Sequence, residues 1–233
     1  MILIICAMNE EREAFRKHLN DLKVLEGKKI NYHGETMDVD YYAGKIEGKD
    51  VVVARSGVGN TYAVISTLTA IERFHPDLVL NVGCAGSLNR EIHVGDTVVA
   101  DRTAYWRFDV PVPEWRRHIQ NPYISFPCSE RIAGIVRNGF PDVKCGPIVS
   151  ADEFIYDPSQ VKIISEFFPE ALCGEMEGCA IANTCYALGV ECSIIRSISD
   201  ETLVNGDYHN FDFNLQKACD NAAELCVELI KRF

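Results

Sequence analysis

Four carboxylates, Glu11, Glu175, Glu177 and Asp200, stand out by their surroundings. Glu11 falls in the first turn of a helix that follows the first apolar run. Glu175 and Glu177 flank Met176 behind a short apolar stretch, and Asp200 ends the run Cys192–Ser199. All three segments point at strand carboxyl ends, where open α/β sheets bind ligands. Taken singly, Glu11 and Glu177 could merely complement helix dipoles, and Ser199-Asp200 could cap a turn. Together they describe a crevice lined by acids with almost no bases, which suits a reaction in which positive charge develops on the substrate.

Two glycine clusters reach the same crevice. Ser56-Gly57-Val58-Gly59 follows the strand Val51–Ala54, and Gly83-Cys84-Ala85-Gly86 follows Leu78–Val82. Both read as glycine turns that bring backbone N–H groups to the sheet edge. Neither is a nucleotide motif: the third glycine of a dinucleotide fingerprint would fall at Tyr62, and no G-K-[ST] completes a P-loop. Cys84 lacks an evident histidine partner to make it a nucleophile.

The elements that must position these residues read as α/β. Apolar runs at 2–7, 51–55, 78–82, 96–101, 146–150 and 192–198 are strands of a largely parallel sheet. A helix spans 60–74, with Asn60 as N-cap and Val64, Leu68 and Ile71 on its inner face. Phe211, Leu215, Ala218, Ala222, Leu225 and Leu229 form the stripe of a last helix lying flat on the sheet. Segment 22–47, broken at His33-Gly34 and Ala43-Gly44, is hairpin material. Segment 106–127, with Pro111, Pro113, Pro122, Pro127, Trp106, Trp115 and Tyr123, is a long functional or interfacial loop. Without a repeat or linker, one domain covers 1–233.

Composition excludes several classes. The 233 residues carry 23 Lys+Arg against 34 Asp+Glu, a net charge of −11, which offers no counterion release to a nucleic acid. The ten cysteines contain no C-x-x-C pair and sit in apolar stretches, as buried free thiols of a reducing cytosol do. The six histidines are scattered, so no metal is expected. The apolar N-terminus lacks a basic leader and reads as a strand rather than a signal peptide. No 18-residue uncharged apolar stretch exists to span a membrane.

Several motifs in order along the chain carry a resemblance: Ala7-Met8-x-Glu10-Glu11, Ser56-Gly57-Val58-Gly59 with Ala63, Asn81-Val82-Gly83-Cys84-Ala85-Gly86, Val94-Gly95-Asp96, Phe154-Ile155, Glu175-Met176-Glu177 and Arg196-Ser197-Ile198-Ser199-Asp200. In these the chain resembles the 5'-methylthioadenosine/S-adenosylhomocysteine nucleosidases of the nucleoside phosphorylase family. The resemblance implies a three-layer αβα sandwich on a mixed, partly barrelled central sheet. It implies hydrolysis of 5'-methylthioadenosine and S-adenosylhomocysteine, and of 5'-deoxyadenosine, to release adenine without a cofactor. Asp200 would protonate N7 of adenine, with Ser199 holding it, and Glu11 would deprotonate the attacking water. Glu177 would bind the ribose hydroxyls and Met176 pack beneath the sugar. Phe154 would stack on adenine and the Ile155 backbone read its edge. Met8, Ser56, Gly57, Cys84, Gly86, Glu175, Arg196 and Phe211 complete the implied substrate-binding set. A cytoplasmic homodimer, joined through the aromatic loop, is implied as well.

The chemistry agrees with this assignment. Cleaving an N-glycosidic bond passes through an oxocarbenium-like sugar, so an acid is needed at the leaving base and a general base on the opposite face. Asp200 must then be protonated when substrate is bound, as an apolar closed site would make it. Phosphorylase relatives usually hold phosphate with an arginine and a serine where this chain has Asn81 and Cys84, and Glu11 would repel the dianion. The chain departs from the nucleosidases at Cys84, usually serine, and at Trp106-Arg107, usually His-Asp. A futalosine hydrolase, an inosine phosphorylase and a non-catalytic nucleoside-binding protein stay open as alternatives.

Overall fold

The computed structural model describes residues 1–108, 118–121, 124–202 and 210–233. Its first half runs β1 (Ile2–Cys6), α1 (Asn9–Ala14), β2 (Asn20–Leu25), β3 (Lys29–Tyr32), β4 (Glu35–Asp38), β5 (Tyr41–Ile46), β6 (Lys49–Arg55), α2 (Asn60–Phe74), β7 (Leu78–Ser87) and β8 (Thr97–Tyr105). The second half runs β9 (Ser125–Pro127), α3 (Glu130–Gly139), β10 (Lys144–Ser150), α4 (Pro158–Phe167), β11 (Cys173–Glu175), α5 (Gly178–Leu188), β12 (Glu191–Glu201) and α6 (Asn210–Ile230).

β1 is buried along its whole length. Ile2, Ile4 and Cys6 enter one core and Leu3 and Ile5 another, because successive strand side chains point to opposite faces. A strand apolar on both faces must be covered twice. Residues of α1, α3 and α6 close the first core and residues of α2 and α5 the second, giving the three-layer sandwich. A third core around Trp106, Ile124 and Phe168 takes in Val161 and Ile164 of α4.

The main sheet has the order β11-β10-β8-β12-β7-β1-β6-β5-β2, with β9 on β8. β11 also pairs antiparallel with β7, so β7, β12, β8, β10 and β11 close into a ring. The sheet is mixed rather than largely parallel. β1, β6, β7 and β12 run parallel, whereas β8 is antiparallel to β12, and β5 to β6 and β2. The expected strands are all present, and α6 lies along β12 and β7 with Ala218, Ala222, Leu225 and Leu229 buried.

Four local expectations are corrected. Gly83-Cys84-Ala85-Gly86 is no turn: β7 continues through it to Ser87 and stays paired with β12. Asp200 does not cap a turn either, but lies inside β12, opposite Gly86. The N-cap of α2 is Gly59 at φ 99°, not Asn60. Its buried face is Ala63, Ser66, Thr67, Ala70 and Ile71, while Val64 and Leu68 are exposed, because small residues let the helix approach α5 and the sheet.

Within 22–47, His33-Gly34 is the β3–β4 turn, but Ala43-Gly44 lies inside β5. Gly44 is needed there, since a methyl group on it would stand 2.6 Å from the Asn20 carbonyl oxygen. All ten cysteines are free and all but Cys145 are buried. Most of the aromatic loop, with Pro111, Pro113, Trp115, Pro122 and Tyr123, lies outside the described residues. Among the described residues no helix is long and apolar enough to cross a membrane.

Candidate active site

At the carboxyl ends of β1, β7 and β12 lies a cavity of about 250 Å3. Glu11 reaches it from the first turn of α1. Its Oε2 accepts the N–H groups of Ala7 (2.8 Å) and Met8 (3.0 Å), and its Oε1 accepts the Cys84 N–H (3.0 Å). The Met8 bond caps the start of α1, the Ala7 bond holds the residue leading into it, and the third ties α1 to β7. Gly83 makes this approach possible, because a methyl group there would stand 2.3 Å from Glu11 Oε1. Burial raises the pKa of Glu11, against the opposing pull of these N–H donors and of the Arg196 charge.

Asp200 sits across the cavity on β12. The ladder pairs Ile198 with Ala85 and Asp200 with Gly86, so Ser199 is the extra residue of a β-bulge. A bulge re-aims side chains that would otherwise alternate. Ser199 Oγ donates to Asp200 Oδ1 at 2.8 Å, and the Ser199 carbonyl accepts from Asn214 Nδ2 at 3.0 Å. Gly86 leaves room for the carboxyl group: a methyl group would lie 2.8 Å from Asp200 Oδ2. Both glycines of the β7 cluster thus give space to a carboxylate rather than a turn to the chain.

Glu175 and Glu177 differ in role despite their spacing. Glu175 Oε2 accepts from the N–H groups of Glu177 (2.9 Å) and Gly178 (2.7 Å) and from Arg196 Nη2 (2.6 Å), while Ser150 Oγ donates to Oε1. Both its oxygens are committed to the protein. Arg196, equally buried, also bonds the Asn81 carbonyl and side-chain oxygens and the Ile195 carbonyl. Among the described residues, Glu177 Oε1 accepts the Gly59 N–H alone, at 2.7 Å. Its pKa is pushed up to about 8, first by burial and then by Glu175, with Gly59 and Arg196 opposing.

Of the residues expected from sequence, Met8, Glu11, Cys84, Gly86, Phe154, Ile155, Glu175, Met176, Glu177, Ser199, Asp200 and Phe211 line this one cavity. Phe154 and Phe211 meet edge to face, 5.7 Å between ring centres. Ser56, Gly57 and Arg196 stand behind it: the Ser56 and Gly57 N–H groups bond the Cys6 and Ala7 carbonyls and join the ends of β6 and β1. Cys84 Sγ shares a contact of 3.7 Å with Cys219 Sγ, which with burial raises its pKa well above that of a free thiol and leaves it a poor nucleophile.

Ala7, Val58, Ala85, Glu153 and Gly174 also line the cavity and were not singled out from sequence. Ala7, Val58 and Ala85 lie inside the quoted motifs. Glu153, paired with Arg107 by bonds of 2.5 and 3.0 Å, carries no sequence signal of its own. The described lining contains five carboxylic acids and not one lysine, arginine or histidine.

The sequence pattern of the phosphorylase superfamily matches residues 1–231. A 5'-methylthioadenosine/S-adenosylhomocysteine nucleosidase of Staphylococcus aureus (strain bovine RF122 / ET3-1) is 33% identical over 238 residues, covering all of both chains. The corresponding nucleosidase of Neisseria meningitidis, solved with methylthio-immucillin-A, superposes with a TM-score of 0.84 at 32% identity, over 100% of this chain and 99% of that one. That of Streptococcus pneumoniae, solved with 8-aminoadenine, gives 0.86 at 28% identity over the same shares. The chain belongs to the phosphorylase superfamily and, within it, to the 5'-methylthioadenosine/S-adenosylhomocysteine nucleosidases.

Proposed function

We infer that this protein hydrolyses the N-glycosidic bond of 5'-methylthioadenosine and S-adenosylhomocysteine, and of 5'-deoxyadenosine, releasing adenine and the 5-substituted ribose. The observation that carries the reading is that every charged side chain in the described lining of the cavity is an acid. A sugar that becomes cationic as the bond breaks is stabilised by carboxylates that a neutral or anionic transition state would find repulsive.

Asp200, held by Ser199, is the general acid. It delivers a proton to N7 as electrons flow into the purine. Glu11, fixed by three N–H donors, takes a proton from water on the opposite face of the sugar. Glu177 binds the ribose hydroxyls, Met176 packs beneath the ring, Phe154 stacks on the base and the Ile155 backbone reads its edge. Glu175 acts through Arg196 and the start of α5 rather than on the substrate.

Water, not phosphate, is the nucleophile. Asn81 donates its amide to the Ile5 carbonyl at 2.9 Å and accepts from Arg196, while the Arg196 guanidinium is spent on Glu175, Asn81 and Ile195. The described lining therefore presents no cation to a phosphate dianion. The test is adenine release, followed by chromatography, from both adenine nucleosides with and without phosphate, with inosine and futalosine alongside. Phosphate-independent release from the adenine nucleosides alone is expected; phosphate dependence, or turnover of inosine or futalosine instead, overturns the reading.

We extend the reading to a cytoplasmic homodimer. The free thiols suit a reducing compartment. The aromatic loop expected to join the copies lies mostly outside the described residues; among the described ones, Val64, Ile65 and Leu68 on α2, with Tyr186 and Leu188 on the neighbouring α5, are exposed apolar side chains of the kind a second copy would also cover.

A further inference from the structure

Three consecutive backbone N–H groups lead into α2, from Val58 just before its N-cap Gly59 to its first residue Asn60, and each is taken by a side chain from a different part of the chain. Val58 N–H is accepted by Tyr32 Oη at 3.0 Å, Gly59 N–H by Glu177 Oε1 at 2.7 Å and Asn60 N–H by Asp152 Oδ1 at 2.6 Å. The first N–H groups of a helix have no intrahelical acceptor, so partners from outside decide how its start is held. Here they also decide where Glu177 points. With Oε1 committed to Gly59, Oε2 is the oxygen left for a ribose hydroxyl.

The turn that presents these groups cannot brace itself. Gly57 and Gly59 have φ of 87° and 99°, backbone that glycine adopts without strain but also without a side chain to lock it. The wall against Gly57 is the Tyr32 ring: a methyl group on Gly57 would lie 2.7 Å from Tyr32 Cε2 and 3.4 Å from Met37 Cε. Tyr32 is itself fixed, meeting Tyr62 of α2 edge to face at 4.7 Å. It comes from the β3–β4 hairpin, a separate two-stranded sheet whose two-residue turn, His33-Gly34, has φ of 47° and 86°, as a tight hairpin of this twist requires.

We propose that Tyr32 is a positioning residue for ribose recognition: its hydroxyl and ring hold the Gly57–Gly59 turn so that the Gly59 N–H orients Glu177. This rests on the reading of Glu177 as the ribose ligand. The small β3–β4 sheet thereby gains a purpose in the site that its place outside the main sheet does not suggest. Tyr32 touches no substrate; it acts through Val58 and Gly59.

The test compares Tyr32→Phe, Glu177→Gln and the double variant, all as full-length protein. Each is measured for kcat and KM with 5'-methylthioadenosine, for product inhibition by free adenine, and for thermal midpoint. Removing the acceptor of the Val58 N–H is expected to raise KM about three- to tenfold, with kcat within about twofold. Inhibition by adenine, which has no ribose, stays unchanged. In the Glu177→Gln background the Tyr32 substitution adds nothing. An unchanged KM in Tyr32→Phe overturns the proposal, as does an equal weakening of adenine inhibition or a full further loss in the double variant. If Glu177→Gln itself leaves KM untouched, the ribose reading fails instead, so the two failures are told apart.

Discussion

Ser199 Oγ donates to Asp200 Oδ1 at 2.8 Å across a bulge in β12, and Gly86, opposite on β7, leaves the carboxyl group its space. The acid is thus aimed by backbone irregularity and held by its neighbour in the chain.

Asp200→Asn keeps the shape and the bulge but supplies no transferable proton. Turnover is expected to fall by about two to four orders of magnitude, the usual worth of general acid catalysis, while affinity for the nucleoside is largely kept. Single-turnover rates and equilibrium binding of 5'-methylthioadenosine check this together. A large loss of binding with a modest loss of rate would contradict the assigned role.

Gly83→Ala brings a methyl group against Glu11 Oε1. The carboxylate must swing away from the Cys84 N–H, so kcat is expected to drop at least about tenfold while the fold, measured by circular dichroism, persists. Wild-type kcat in this variant would show that Glu11 does not act from its observed position.

Cys84→Ser tests the thiol against its own backbone. Glu11 is held by the Cys84 N–H, which the substitution leaves in place, and a hydroxyl is a better hydrogen-bond partner than a thiol. The expected kcat lies within about threefold of wild type. A far larger fall would assign the side chain itself a part in catalysis.

Glu177 makes stability depend on pH. Its folded pKa of about 8 lies above its ordinary value near 4.5, so the folded state binds the proton more tightly than the unfolded chain. The resulting stabilisation is complete below pH 4.5 and is lost as pH rises through 8. The thermal midpoint of the ligand-free protein should therefore fall between pH 5 and pH 9, and Glu177→Gln should flatten that slope. An equal slope in the variant would place the titration elsewhere.

Leu68→Glu puts a charge into the exposed apolar stripe of α2. Light scattering at micromolar concentration is expected to give a dimer for the wild type and a monomer for the variant. A wild-type monomer, or a variant still dimeric, would remove this face as the contact.

Most of this site was legible because its acids follow apolar runs: Glu11, Glu177 and Asp200 stand where strand ends were expected. Less visible was what the backbone does around them. Gly83 and Gly86 read as turn residues, yet they are strand residues that admit carboxylates, a distinction that depends on the neighbour across the ladder. The bulge at Ser199 has no composition of its own. The ring closed by β11 rests on only three residues, Cys173–Glu175, too few to show a period. Helix α4 carries a purely local signal, its Asp157 cap with Pro158 and Gln160, and no apolar stripe long enough to mark it by period. Tyr32 belongs to a hairpin that the breaks in 22–47 predict, but its reach to Val58 is a tertiary fact.

The central claim is hydrolysis by an activated water. Carrying out the reaction of 5'-methylthioadenosine in 18O-labelled water, with phosphate present, tests it most directly by mass spectrometry of the sugar. One labelled oxygen in 5-methylthioribose, with free adenine in equal amount, is the predicted result. A sugar phosphate, or a released sugar without label, would contradict the account.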